Sequence, residues 1–184
     1  MTAILKPVSG VAWVRDVVAE DMIAVQRIYA DHVSNGLGSF EEAAPDISEM
    51  TRRWKETCER RLPYIAAEID GIVKGYAYAG PYRPRSAYRY TIEDSIYVAA
   101  DAQRLGLGRM LLAELIDRCT ALGYRQMVAV IGDSANLASV NLHLQLGFQQ
   151  TGIQTDIGFK FGRWVDSVIM QRPLGEGGST LPPP

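Results

Sequence analysis

At 184 residues, with 47% hydrophobic and 22% charged residues, the chain is long enough to bury one substantial core, and its composition excludes disordered, collagen-like and membrane classes. The formal net charge of −2 supplies no global positive field, which argues against nucleic acid or a membrane surface as partner. No run approaches the roughly 18 apolar residues of a membrane span, and the first residues show no basic stretch leading into a long apolar one, so cytoplasmic residence is the expectation.

Ala12 to Val18 reads as a strand, followed by a helix opened by Glu20-Asp21 and running to about Val33, with Ile23, Ile28 and Tyr29 on one side. Residues 34–45 are rich in small and turn-forming types and form a loop with a lone aromatic, Phe40. Asp46 and Glu49 have capping-box spacing, and Ile47, Met50, Trp54 and Cys58 continue a helical stripe that Pro63 stops. Tyr64–Ile69 and Ile72–Ala79 flank Asp70-Gly71, a dipeptide suited to a tight antiparallel hairpin. Cys58 and Cys119 lack metal-ligand spacing and are expected to be reduced, buried thiols; no metal site is expected.

Two prolines turn residues 80–85 into a basic loop. A strand over Glu93–Ala99, a helix over Leu107–Leu122 ended by Gly123, and an apolar strand over Gln126–Ile131 make a parallel crossover unit. A helix over Leu137–Leu146 and strands near Gly152–Phe161 and Val165–Arg172 complete a single domain over residues 1–174. The tail, 175–184, has too little apolar content to pack and is expected to be disordered.

The segment Gln103-Arg-Leu-Gly-Leu-Gly-Arg109 joins a strand to a long helix. Glycines at 106 and 108 allow close backbone approach, the helix start offers N–H donors, and Arg104 and Arg109 add cations, so a phosphate or pyrophosphate belongs there. A Walker loop is excluded because Arg109-Met110 follows Gly108, and a dinucleotide fingerprint because Leu111 occupies the small-residue position.

That glycine segment, followed by Asn136, Ser139, His143 and Gly147-Phe148 at fixed spacing, resembles the GNAT acetyltransferase superfamily. Within it, Ala77-Tyr-Ala-Gly-Pro81, Tyr90-Thr-Ile-Glu-Asp-Ser-Ile-Tyr-Val98 and Gly162-Arg-Trp-Val-Asp166 look like the phosphinothricin and methionine sulfone or sulfoximine N-acetyltransferase group, over about residues 12–174. The resemblance implies an α/β fold with a mixed, twisted sheet of about seven strands, a splayed central pair and flanking helices. Acetyl-coenzyme A would be the co-substrate. Ile96, Tyr97 and Val98 would meet its pantetheine, Arg104, Leu105, Gly106, Leu107, Gly108 and Arg109 would wrap its pyrophosphate, and Asn136 would reach it from the next helix. Glu93 matches the catalytic base and His143 a supporting catalytic position, while Phe40, Arg83 and Arg85 match substrate-pocket positions. A homodimer is implied by the family alone. Leu112 departs from the aromatic found there in some phosphinothricin enzymes, which leaves the shape of the pocket open.

Strand alternation puts Glu93, Ser95 and Tyr97 on one face and Ile96 and Val98 on the other, so a carboxylate and two hydroxyls share a substrate-pocket wall. A glutamate is an inefficient base for an amine unless burial raises its pKa. Tyr97 stands in reserve to His143 as proton donor to the thiolate. Arg83 and Arg85 suit an acceptor carboxylate or phosphinate, which favours a small amino-acid-like substrate. Two alternatives are acetylation of a peptide or protein amine, and a non-catalytic coenzyme A sensor.

Overall fold

The computed structural model describes residues 11–182; the first ten residues of the expected domain and the last two of the tail, Pro183 and Pro184, lie outside these. In the described residues β1 (Ala12–Asp16), α1 (Met22–Asn35), α2 (Ile47–Glu59), β2 (Tyr64–Ile69), β3 (Ile72–Pro81) and β4 (Thr91–Val98) precede α3 (Leu107–Ala121), β5 (Gln126–Gly132), α4 (Leu137–Gln145), β6 (Gln149–Lys160) and β7 (Arg163–Pro173). The strands form one sheet in the order β1-β2-β3-β4-β5-β7-β6. Asp70 and Gly71 take φ of 50° and 79° in the β2–β3 turn, the paired positive values that a two-residue hairpin needs. The Asp46 carboxylate accepts the Glu49 amide at 2.8 Å and caps α2.

The centre of the sheet opens. β4 and β5 pair in parallel from Thr91 opposite Gln126 to Asp94 opposite Ala129. Past that point β4 stays on β3 as far as Val98 opposite Gly75, while β5 stays on β7 as far as Gly132 opposite Ser167. Ser95–Val98 and Val130–Gly132 therefore line the two arms of a V.

Each face of the sheet is covered. On one, α3 buries Leu107, Leu111, Leu112, Leu115, Ile116 and Cys119 against Ile92, Met127 and Ala129, and truncating such a leucine to alanine costs about 2–5 kcal/mol. On the other, α1 and α2 place Val25, Ile28, Tyr29, Val33 and Met50 against Tyr64 and Tyr76.

Several expectations change. Ile23 is exposed, because the five-residue step to Ile28 sets the two about 140° apart round α1, and the buried face runs through Met22, Val25, Ile28 and Tyr29. Cys58 is exposed near the end of α2, and only Cys119 is a buried thiol. In the described part of the tail, Gly177 N–H bonds the Leu174 carbonyl, and Arg125 donates to Thr180 and pairs with Glu176. Among the described residues no helix is long and apolar enough to cross a membrane.

Candidate active site

The two arms of the V present unequal backbone edges. Ala99 N–H bonds the Lys74 carbonyl at 2.8 Å. Antiparallel pairs alternate between exchanging both bonds and exchanging none, so Val98 and Ile96 turn their own amides and carbonyls away from β3 and into the opening. Tyr97, between them, spends its backbone on β3, which removes it from the expected backbone contacts to pantetheine. The Val98 carbonyl already accepts from His32 Nε2 at 2.9 Å, leaving the Val98 N–H on the open edge.

Below the V, Gly106 takes φ +85° at the start of α3, and no side chain caps that helix. Arg104 adopts φ 62° in the same loop, and Arg104, Leu105 and Arg109 are exposed beside the first amides of the helix. A left-handed turn with uncapped helical N–H groups and two guanidinium groups fits a pyrophosphate. Gly108 also packs closely on α4: a Cβ there would lie 3.3 Å from Leu142 Cδ2. Asn136 caps α4, its Oδ1 accepting from Ser139 N–H at 3.3 Å.

Glu93 lies half-buried at the closed end of the V, opposite Gly80 on β3 and Val128 on β5. Burial pushes its carboxyl up to about 7, the neighbouring Asp94 charge adds to the rise, and the Arg83 charge opposes it. A carboxylate tuned near neutrality both accepts and releases a proton at working pH. Ser95 and Tyr97 follow on the same face, with Tyr78 opposite Ser95. Burial drives the Tyr97 phenol well above 10, so it stays protonated and able to donate.

On this face lies a pocket of about 450 Å³ lined by Tyr29, Tyr64, Tyr76, Tyr78, Arg53 and Arg83 among others. Tyr64 stacks on Tyr78 at 5.0 Å, and Tyr76 on Tyr97 at 5.2 Å. Arg83 reaches this lining, with its guanidinium 5.0 Å from the Tyr82 ring centre, whereas Arg85 precedes the turn at Ser86–Tyr88 and does not line it. Phe40 is also outside the lining: its ring lies flat on Gly158 and Gly132, where added Cβ atoms would come within 2.4 and 3.0 Å of it. Leu112 is fully buried in the core of α3, so its departure from an aromatic does not reshape this pocket.

The structure moves His143 out of the position expected for an acid. The ring is 3% exposed and lies behind β4. Nδ1 meets the Ser139 carbonyl at 2.7 Å and Nε2 meets Asp94 Oδ2 at 3.0 Å. A carbonyl and an ionised carboxylate only accept, so beside a charged Asp94 both ring nitrogens donate and both are committed. Burial works against the charged ring, but the Asp94 bond and charge and the Ser139 carbonyl outweigh it and hold its pKa above 6.5. Sequence reading missed Asp94 as its partner, and also His32, Tyr29 and Tyr78. The alternation of β4 was the one signal that pointed toward Asp94. Among the described residues, no group of three or more His, Cys, Asp or Glu side chains is placed to hold a metal ion.

Residues 14–169 match the family described as acetyltransferase (GNAT) domain. The chain is 53% identical over 169 residues to phosphinothricin N-acetyltransferase of Alcaligenes faecalis, covering 92% of this chain and 86% of the relative. It is 40% identical over 165 residues to L-methionine sulfoximine/L-methionine sulfone acetyltransferase of Pseudomonas aeruginosa, covering 89% and 95%. Among solved structures, a phosphinothricin acetyltransferase from Sinorhizobium meliloti in complex with acetyl-coenzyme A superposes with a TM-score of 0.91 at 47% identity, over 94% of this chain and 93% of that one.

Proposed function

The chain belongs to the GNAT acetyltransferase family and is an N-acetyltransferase that uses acetyl-coenzyme A, and from that premise we propose that its acceptor is a small amino-acid-like amine of the phosphinothricin, methionine sulfone or methionine sulfoximine type. The observation that carries this reading is the carboxyl of Glu93, raised to about 7, beside a tyrosine-walled pocket with Arg83 at its edge. Arg83 suits the acceptor's carboxylate or phosphinate.

Acetyl-coenzyme A supplies the acetyl thioester. Ile96 and Val98 would hold its pantetheine by backbone, residues 104–109 its pyrophosphate, and Asn136 would meet it from α4. Glu93 takes a proton from the acceptor ammonium, directly or through one water, and frees the nitrogen lone pair. The open Val98 N–H faces the oxygen on which charge gathers as nitrogen adds to the thioester carbonyl. Tyr97, a neutral phenol on the Glu93 face, is the donor suited to the departing thiolate. His143 works through Asp94, fixing α4 to β4 where the strands part. The homodimer belongs to this proposal as well; exposed Ile153, Ile157, Phe159 and Trp164 on the β6–β7 hairpin support it.

Release of free thiol from acetyl-coenzyme A, with phosphinothricin, methionine sulfone, methionine sulfoximine and ordinary amino acids, tests the reading. Turnover on one of the first three, lost in Glu93→Gln while coenzyme binding is kept, is the expected result. Absence of turnover on the whole set would remove the acceptor class.

A further inference from the structure

Lys160, the last residue of β6, is buried at 2% exposure, which is unusual for a lysine outside an ion pair. Its ammonium donates to the carbonyls of Gly36 at 2.9 Å and Ser39 at 2.7 Å, residues 124 and 121 positions away, and lies 4.9 Å from the centre of the Phe161 ring. Glu41 and Glu42 act on it only through space, and burial pushes its pKa down. A charged group is thus kept inside the protein to grip two carbonyls of a single loop, and charge-assisted bonds of this kind are roughly twice as strong as neutral ones.

The gripped loop bridges the mouth of the V. At its start His32 holds the Val98 carbonyl. Further on, the Leu37 carbonyl sits where a Cβ on Gly132 would be, 2.1 Å from that site, and Phe40 covers Gly158. The loop then reaches the pocket through a closed ring of hydrogen bonds. Glu41 N–H donates to Ser39 Oγ, Ser39 and Tyr29 share a bond of 3.0 Å, and Tyr29 donates to Glu41 Oε1 at 3.0 Å. Arg53 pairs with Glu41 at 2.6 Å. Tyr29 and Arg53 both line the pocket.

We propose that Lys160 is a positioning residue for acceptor binding, its ammonium holding residues 36–41 in the shape that lets Glu41 fix Tyr29 and Arg53 along the pocket wall. The inference rests on the reading of that pocket as the acceptor site. Lys160 itself contacts neither Glu93 nor the 104–109 loop, so its loss acts through residues 36–41 on the acceptor wall and leaves proton transfer and the pyrophosphate cradle in place.

The test compares wild type, Lys160→Met and Lys160→Arg. Lys160→Met keeps the chain length and removes both bonds; the acceptor KM rises about tenfold, with kcat and the acetyl-coenzyme A Kd within about twofold of wild type. Lys160→Arg, which retains charge and donors, recovers part of the loss. Amide hydrogen exchange at residues 36–41 quickens in Lys160→Met, while β3 keeps its protection. An unchanged acceptor KM in folded Lys160→Met overturns the proposal, as does a fall in kcat at constant KM. Should Lys160→Met not fold, Lys160→Gln, which can still donate to one of the two carbonyls, carries the test; a smaller rise confined to the acceptor KM is expected, and no rise overturns the proposal. A wild type that acetylates none of the acceptors removes the functional reading instead, and the exchange comparison then decides the Lys160 contact by itself.

Discussion

His143 Nε2 lies 3.0 Å from Asp94 Oδ2, inside the protein and on the face of β4 opposite Glu93. Asp94 is the last β4 residue paired with β5, so this contact ties α4 to β4 where the V begins. The other carboxylate oxygen of Asp94 is buried and has no hydrogen-bond partner among the described residues, which makes Asp94 dependent on His143 for compensation of its charge.

Replacing His143 by leucine therefore strands a buried carboxylate. Breaking one side of a buried pair costs about 3 kcal/mol, a fall in melting temperature of roughly 6–12 °C for a chain of this size. The double variant Asp94→Leu/His143→Leu recovers most of that loss, since no unpaired charge remains. Thermal unfolding of the single and double variants checks this; equal instability in both would show that the pairing is not what matters.

The pair also gives stability a pH dependence of known sign. His143 has a pKa raised above 6.5 in the folded chain. Its contribution is fully present below about 6.5 and is lost as pH rises through the folded-state value. Wild type is expected to lose stability on passing upward through that window, and His143→Leu to lack this component. Denaturant midpoints taken at pH 6 and pH 9 for both proteins would expose it, and parallel changes would refute it.

With Glu93 as the proposed base, the pH dependence of turnover is expected to follow its carboxyl. With its carboxyl pushed to about 7, the base is protonated and idle in more acid solution. The logarithm of kcat/KM rises with unit slope below about pH 7 and levels above it. The Arg83 charge opposes the rise in the Glu93 pKa, so Arg83→Gln moves the ascending limb to higher pH while it also weakens acceptor binding. A limb that stays put, or shifts to lower pH, would show that Arg83 does not act on the base.

What the sequence made legible was local. The alternation of Glu93, Ser95 and Tyr97 follows from two-residue periodicity, the Asp46 cap and the Asp70-Gly71 turn from the chemistry of single residues, and the helix of α3 from its leucine spacing. The contacts that were not legible join residues far apart with no periodic signal between them: Asp94 with His143, His32 with Val98, and Lys160 with Gly36 and Ser39. Ile23 was misplaced because it lies about 140° round the helix from Ile28, off the face that Met22, Val25 and Tyr29 bury. The contacts of residues 176–180 with Leu174 and Arg125, beside Gly175 and Gly177 at φ 53° and 55°, likewise have no signal in composition.

Tyr76 offers a test of the pocket wall. Its ring is fully buried between stacked tyrosines, and its hydroxyl has no hydrogen-bond partner among the described residues. Removing an unsatisfied hydroxyl relieves a desolvation cost of about 1 kcal/mol or more. Tyr76→Phe is expected to melt roughly 2–4 °C higher than wild type, and a lower melting temperature would mean that the hydroxyl is satisfied in solution.

The two glycines of the α3 loop should separate in their effects, because only one of them needs a left-handed backbone. Gly106, at φ +85° with open space around it, meets no clash on substitution, yet alanine in that conformation costs about 1–2 kcal/mol and relaxes the turn that presents the first amides of α3. Gly108 is helical, and a Cβ there meets the mobile end of Leu142 at 3.3 Å, which can yield by a few tenths of an ångström. Gly106→Ala is therefore expected to raise the Kd for acetyl-coenzyme A about tenfold, and Gly108→Ala to change it by less while lowering the melting temperature slightly. Titration of both variants with acetyl-coenzyme A and with coenzyme A decides the point: a larger loss of affinity in Gly108→Ala would place the close backbone approach at residue 108 and reverse the assignment.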